Sequence, residues 1–160
     1  MKDTIICDLD GTLCDITHRL HHIKQSPKNW DAFFAGVLGD SVNEPVLRVL
    51  EEMTLGNCGC SYGERREIIF CSGRPERCRA DTVEWLRRAE EDRFDPESEN
   101  YKLYMRKDGD FRPDHEVKQE ILDSSIDKDR VLFVLDDRQQ VVDMWRRSGL
   151  TCFQVAEGNF

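Results

Sequence analysis

Short, continuously apolar runs alternate along this chain with longer stretches in which apolar residues recur every three or four positions. The first kind predicts strands buried on both faces and the second predicts amphipathic helices. Their alternation predicts βα units around a mainly parallel sheet. The predicted strands are Thr4–Cys7 (TIIC), Glu67–Cys71 (EIIFC) and Val131–Leu135 (VLFVL), with a last one near Thr151–Val155. One helix follows Pro45 and carries Val46, Leu47, Val49 and Leu50. A second starts at Pro75, where a first-turn proline loses no donor, and runs through Val83, Trp85, Leu86 and Ala89. A third starts at Pro113 and places Asp114 and Glu116 in its first turn, where the helix dipole favours acids; it carries Val117, Ile121 and Leu122. A fourth starts at Gln139, carries Val141, Val142 and Trp145, and stops after Arg146-Arg147 at Gly149.

Two segments break this rhythm. Asp15–Asp40 holds an amphipathic piece with Trp30, Phe33, Phe34, Val37 and Leu38. Its helical spacing favours packing into the core over a stacking surface for a base. Leu55–Arg66 reads as a surface loop, because Cys58-Gly59-Cys60 alone is too sparse for a metal site. With no repeat, low-complexity stretch or linker, the 160 residues suit one domain.

Composition narrows the classes. No run of about 18 apolar residues exists, so no spanning helix is expected. Met1-Lys2-Asp3 enters an apolar run at once, which leaves no room for a signal peptide. Seven cysteines is an odd number, and Cys7, Cys71 and Cys152 fall in apolar runs, where the thiol acts as a small hydrophobe. A reducing, cytoplasmic compartment is expected. The net charge of −9 opposes coating of long nucleic-acid backbone but allows one phosphate to be gripped locally.

The candidate chemistry sits where strands end. Asp8-Leu9-Asp10-Gly11-Thr12 closes the first strand, and residues two apart on an extended chain share a face, so Asp8 and Asp10 project together. Gly11 permits a sharp turn. Two carboxylates this close repel unless a cation joins them, and hard oxygen donors suit Mg²⁺. One carboxylate can attack phosphorus while the other transfers protons. An EF-hand loop can also begin D-x-D, but it needs glycine at its sixth position, and here glycine is fourth. A bare acidic turn is the other alternative. Ser72-Gly73-Arg74 follows the second strand and opens a helix, where a hydroxyl and main-chain N–H groups can hold an anion. Asp136-Asp137 follows the third strand, and Lys118 lies early in a helix, where by itself it reads as a solvated lysine. In an open parallel sheet these strand ends converge on one crevice.

The ordered set Asp8-x-Asp10-Gly11-Thr12, Ser72-Gly73-Arg74, Lys118 and Asp136-Asp137 resembles the four motifs of the haloacid dehalogenase (HAD) superfamily. Gly109-Asp110-Phe111-Arg112-Pro113-Asp114 leading to Val117-Lys118, the run Asp136–Arg147 and the ending Cys152–Phe160 resemble more closely the 3′-phosphatase domain of bacteriophage-type polynucleotide kinase/phosphatase. The likeness is weakest over Ile16–Asp40 and Leu55–Arg66. It implies a HAD-like, Rossmann-type three-layer α/β/α sandwich of the α/β class, with one domain over 1–160 and a small cap insertion around 16–40. It implies Asp8 as nucleophile, Asp10 as general acid–base, and Arg19, Ser72 and Lys118 at the substrate phosphate, with Thr12, Gly73 and Arg74 beside them. Asp8, Asp10, Asp136 and Asp137 become the metal-side residues for Mg²⁺, and Asp40 and Asp114 orient the cationic side chains. His18, His21 and His22 crowd near Arg19 without a placed fourth ligand, so solvated or capping roles are expected.

The resemblance implies removal of 3′-phosphates from DNA or RNA ends in nucleic-acid repair. The alternative is a phosphatase for mononucleotides or other small phosphomonoesters. A non-catalytic phosphate-binding module is disfavoured, because each catalytic position holds a competent residue. The sequence lacks G-x-x-x-x-G-K-[ST], so any 5′-kinase partner is expected on another domain or protein.

Overall fold

The computed structural model describes residues 2–54, 66–89 and 99–158. The stretch with Cys58 and Cys60, and the last two residues, lie outside them. Five strands form one parallel sheet in the order β5-β4-β1-β6-β7: β1 (Thr4–Cys7), β4 (Glu67–Pro75), β5 (Tyr101–Arg106), β6 (Val131–Asp136) and β7 (Cys152–Gln154). The expected α/β class and mainly parallel sheet are present.

Alternation along each central strand feeds two cores. Ile5, Ile68, Phe70, Phe133 and Leu135 pack with Leu47 and Leu50 of α3 (Glu44–Thr54) and with Trp85 and Leu86 of α4 (Arg79–Ala89). Ile6, Ile69, Cys71 and Val134 face the other way, onto Leu122 of α5 (Asp114–Ser125) and Val141, Val142 and Trp145 of α6 (Gln139–Arg147). Helices therefore cover both faces, which is why β1, β4 and β6 read as unbroken apolar runs.

Three elements differ from the sequence reading. β4 runs on to Pro75, and a short 3-10 turn, Glu76–Cys78, precedes α4, so that helix begins at Arg79 rather than Pro75. The chain stays extended because the residue before proline avoids helical dihedrals. β5 has no counterpart in the reading. It is an edge strand whose inward Tyr101, Leu103 and Met105 alternate with less buried Lys102, Tyr104 and Arg106. A search for continuous apolar runs passes over it, whereas its period-two alternation is the signal that marks it.

Between β1 and α3 the chain makes an excursion. β2 (Cys14–Asp15) pairs antiparallel with β3 (Ser41–Val42) and closes its base. Within it lie a 3-10 turn at Thr17–Arg19, α1 (His21–Lys24), α2 (Trp30–Ala35) and a second 3-10 turn at Val37–Gly39. The Trp85 indole N–H donates to the Asp40 carbonyl at 2.8 Å and ties the excursion to α4.

Candidate active site

The sheet order reverses between β1 and β6, since the chain goes from β1 through β4 to β5 on one side and from β6 to β7 on the other. Ligands of open α/β sheets lie beyond the carboxyl ends of the strands at such a reversal. Asp8 follows β1 there, with its N–H donating to the Leu135 carbonyl of β6 at 3.0 Å. Gly11 turns the chain at φ 87°, and the Cys14 N–H returns to the Leu9 carbonyl at 2.8 Å. A residue with Cβ is disfavoured in that left-handed region.

Two buried carboxylates, Asp8 and Asp136, share one ammonium, and a third, Asp137, lies beside them. Lys118 Nζ donates to Asp8 Oδ1 at 2.6 Å and to Asp136 Oδ2 at 3.0 Å, and Asp114 lies 3.8 Å away. The Thr12 hydroxyl lies 3.4 Å from both Asp8 Oδ2 and Asp137 Oδ1. Asp136 is tied further by the Trp145 indole N–H at 3.1 Å and the Arg138 main-chain N–H at 3.2 Å. Asp8, Asp136 and Asp137 each offer an oxygen within 4.8 Å of the other two. One lysine among these three carboxylates leaves surplus negative charge, and an all-oxygen donor set of this kind fits a hard divalent cation.

The pKa directions follow from that crowding. Burial raises the Asp8 carboxyl well above its ordinary value; Lys118 opposes this, while Asp136 and Asp137 add to it. Burial, then the Asp136 charge, pushes Asp137 up to about 6. Burial works against the Lys118 ammonium, but Asp136, Asp8 and Asp114 overcome it and hold its pKa well above the lysine norm.

Asp10 belongs to a separate cluster. Its Oδ1 accepts from Arg19 Nη2 at 2.6 Å and from Arg74 Nε at 2.8 Å. Asp40 receives the same arginines through Arg19 Nε at 2.6 Å and Arg74 Nη2 at 2.7 Å. Two guanidiniums therefore balance two carboxylates, with Arg19, Arg74 and Asp40 all buried. Burial would raise the Asp10 carboxyl, yet Arg74 and Arg19 together bring it below its usual value. The hydrogen bonds Asp10 makes within the described residues are accepted by Oδ1. His18 Nε2 lies 2.9 Å from Asp40 Oδ1, so of the three clustered histidines this one joins the network.

The sequence-predicted residues thus divide. Asp8, Thr12, Lys118, Asp136 and Asp137 meet, with Asp114 at the edge, while Asp10, Arg19, Arg74 and Asp40 form the neighbouring cluster. The Asp10 carboxylate, expected on the metal side, is directed onto the arginines. Arg19, expected at the substrate phosphate, is directed onto Asp10 and Asp40. Ser72 is wholly buried, and its Oγ accepts from the Arg74 N–H at 3.2 Å, so it shapes the strand end.

An open cleft of about 480 Å³ has Asp8, Asp10 and Asp137 on its floor. Trp30, Phe33 and Phe34 all line this cleft, but Phe33, at 2% exposed, is packed into the core as its spacing predicts, whereas Trp30 is 44% exposed. Arg106 carries no signal in the sequence, because it lies on an edge strand that lacks a continuous apolar run. Its Nε donates to the Gly73 carbonyl at 2.9 Å and its Nη2 to Asp114 Oδ1 at 3.2 Å. In the sequence Trp145 is only an apolar helix residue, and its Asp136 contact across the helix–sheet interface carries no sequence signal.

Gly73 is required by that packing. A Cβ there would stand 2.3 Å from Asp114 Oδ1. Gly73→Ala is expected to destabilise by about 1–3 kcal/mol, as overpacking of a close contact does, and to lower turnover by displacing Asp114 from Lys118. Thermal melting of Gly73→Ala and of Gly73→Ala/Asp114→Ala checks this: the second substitution should recover part of the loss, and an equal or larger loss would contradict the steric cause.

The chain matches the family described as polynucleotide kinase PNKP phosphatase domain, of HAD type, over residues 2–160. It is 32% identical over 143 residues to the "Putative bifunctional polynucleotide kinase/RNA ligase" of Autographa californica nuclear polyhedrosis virus, covering 89% of this chain and 17% of that protein. A chain of the solved "Structure of the Pnkp1/Rnl/Hen1 RNA repair complex" superposes with TM-score 0.74 at 33% identity, over 98% of this chain and 43% of that one. One from "Structure of Pnkp1/Rnl/Hen1 complex" gives TM-score 0.73 at 34% identity, over 100% of this chain and 48% of that one. The chain therefore spans about a sixth of the viral relative and less than half of each solved chain. No helix among the described residues is long and apolar enough to cross a membrane. With the family matched along nearly its whole length and the strand-end carboxylates gathered around one lysine, this chain is a phosphatase domain of the HAD-type polynucleotide kinase PNKP family.

Proposed function

We propose that this domain removes 3′-phosphates from nucleic-acid ends through an aspartyl-phosphate on Asp8. The carrying observation is the buried Asp8 on the floor of an open cleft, held by Lys118 beside Asp136 and Asp137. An Asp8 oxygen attacks phosphorus, the bond to the sugar 3′-oxygen breaks, and that oxygen takes a proton from Asp10 Oδ2, which Asp10, ionised at rest, receives from the entering phosphate monoanion. Water then attacks the aspartyl-phosphate, Asp10 takes its proton, and inorganic phosphate leaves with Asp8 restored. Arg19 and Arg74 hold Asp10 by Oδ1, which keeps Oδ2 for the proton and stabilises the ionised form that receives it from water. Lys118 opposes the burial that favours a neutral Asp8 and faces the phosphoryl oxygens with positive charge. Thr12 and Ser72, both buried, support the phosphate position from behind the strand ends, and segment 16–40 serves as a small cap.

Asp8, Asp136 and Asp137 are the residues that would hold a divalent cation, which we take to be Mg²⁺. When bound it supplies positive charge that lets an anionic phosphate approach the carboxylates. Asp136 already receives Lys118, Trp145 and a main-chain N–H, so Asp137 is the better direct ligand. The viral and complex-forming relatives support a role in end repair beside a 5′-kinase on the same or another polypeptide. The described cysteines, Cys7, Cys14, Cys71, Cys78 and Cys152, are free and buried, which suits a reducing compartment such as the cytoplasm.

The test is phosphate release, with Mg²⁺ and with EDTA, from 3′-phosphorylated oligonucleotides, 5′-phosphorylated ones and nucleoside monophosphates. The expected order puts 3′-ends first and EDTA at background. A preference for 5′-ends would sink the reading, and one for monophosphates would favour the small-molecule alternative.

A pH dependence follows. Asp8 and Asp137 have folded-state pKa values raised above the ordinary 3.8. The stability their neutral forms supply is fully present below that value and, for Asp137, lost as pH rises through about 6. The metal-free protein should accordingly be burdened at neutral pH, and Mg²⁺ should raise its melting temperature more at about pH 7.5 than at about pH 5, because cation and proton compete. An equal shift at both would place the ion elsewhere.

A further inference from the structure

A lone apolar side chain on a surface needs no explanation. Phe111 is different. It is 94% exposed, yet it lines the cleft whose floor holds Asp8. Its backbone is pinned on both flanks, since Arg106 Nη1 donates to the Asp110 carbonyl at 3.1 Å and to the Arg112 carbonyl at 2.7 Å. The Arg112 guanidinium closes on the Asp110 carboxylate at 2.6 Å, and the Asp110 N–H donates to the Lys107 carbonyl at 3.2 Å. Gly109, at φ 80°, makes that turn accessible. The arginine that pins the turn also holds Gly73 and Asp114 beside the catalytic centre. The ring is therefore presented to the cleft by a fixed loop.

A second aromatic surface comes from another part of the chain. Trp30 and Phe34 stack with ring centroids 5.9 Å apart at 22°. Lys28 lies 5.4 Å over the Trp30 ring and Arg77 lies 5.7 Å from the Phe34 ring, and all four line the same cleft. Aromatic faces interleaved with cations suit single-stranded nucleic acid, because every base has a π-face and every link carries a negative charge. On a chain of net charge −9, cations gathered at this cleft are locally against the overall sign.

We propose that Phe111 stacks on the nucleobase of the phosphate-bearing terminal nucleotide, with the Trp30–Phe34 pair as the second aromatic surface. The domain then recognises a base as well as a phosphate, accepts any of the bases, and holds an abasic end poorly. This rests on the proposed action at nucleic-acid ends.

The test compares kcat/KM for a 3′-phosphorylated oligonucleotide with that for the same strand made abasic at its last nucleotide. The unaltered protein should favour the base-bearing end by roughly tenfold, the scale of one base–aromatic stack. Phe111→Ala and Phe111→Leu should bring that ratio close to one, and Phe111→Trp should keep it. Quenching of Trp fluorescence by the unphosphorylated strand in EDTA gives a second readout, and should need several-fold more strand in Phe111→Ala. No discrimination by the unaltered protein, or equal losses on both substrates in Phe111→Leu, overturns the stacking role. If 5′-phosphorylated ends prove the better substrates, the 3′-end reading fails by itself, and the same base-bearing and abasic pair carrying 5′-phosphates still decides for or against Phe111.

Discussion

Asp8→Asn is expected to lower kcat for 3′-phosphate hydrolysis by about 10⁴-fold or more, the scale of losing a nucleophile that acts with its partner groups as a unit. An amide oxygen cannot form the aspartyl-phosphate, and neither other carboxylate on the cleft floor substitutes: Asp10 is held on Arg19 and Arg74, and Asp137 is the residue assigned to the cation. The substitution should not unfold the protein. Burial raises the Asp8 carboxyl, so its charge is a cost to the metal-free fold at neutral pH, and a neutral side chain of the same shape removes that cost. Melting in EDTA at neutral pH should stay level or rise. Metal-dependent turnover that survives the change would show that Asp8 is not the attacking group. A collapse in melting temperature would mean that the loss of rate says nothing about chemistry.

Arg74→Met should produce the largest loss of stability. Arg74 is wholly buried, bridges Asp10 and Asp40, and places Nη1 3.3 Å from the Thr82 hydroxyl. Removing one partner of such a cluster leaves an uncompensated buried carboxylate, which costs about 3–5 kcal/mol. For a chain of this size that corresponds to a fall in melting temperature of roughly 10 °C. Turnover should also drop by about 10²-fold, because Asp10 loses the donors that fix its Oδ1. Arg74→Lys should rescue little, since one ammonium cannot serve Asp10, Asp40 and Thr82 from a planar fork. Arg74→Met/Asp40→Asn restores the charge balance and should melt above the sum of the single effects. Additive losses, or a single-variant shift of only a degree or two, would contradict the balanced-cluster account.

Much of this site is legible in the sequence alone. Asp8, Asp10, Ser72, Gly73, Asp136 and Asp137 follow continuous apolar runs, and a parallel strand covered on both faces leaves little choice about where its polar residues emerge. Lys118 is different. Alone it reads as a solvated helix lysine, and only its place in an ordered motif marks it out; burial beside Asp8 and Asp136 is settled by how α5 packs on the sheet. Arg106 and Phe111 escape a reading based on continuous hydrophobicity, because β5 is an edge strand that alternates and the turn after it is polar. Trp30 and Phe33, three residues apart on one helix, both line the cleft, yet Phe33 is buried in the core while Trp30 stays 44% exposed. Periodicity says that a face exists, and packing decides how wide it is.

From local pattern the sequence determined four of the sheet's five strands, the helices that cover them, the carboxylates at the strand ends and the family to which the chain belongs. Those features rest on local pattern: strand period, turn glycines, proline positions and motif order. The tertiary structure alone decided that the carboxylates divide into two clusters, one around Lys118 and the other between Arg19 and Arg74. It also decided that Trp145 braces Asp136 and that Phe111 is held over the cleft. Each of those contacts joins residues from separate elements, so it depends on which strands are neighbours and how their ends stagger. Charge balance among buried groups is a property of that assembled neighbourhood, and no stretch of sequence contains it.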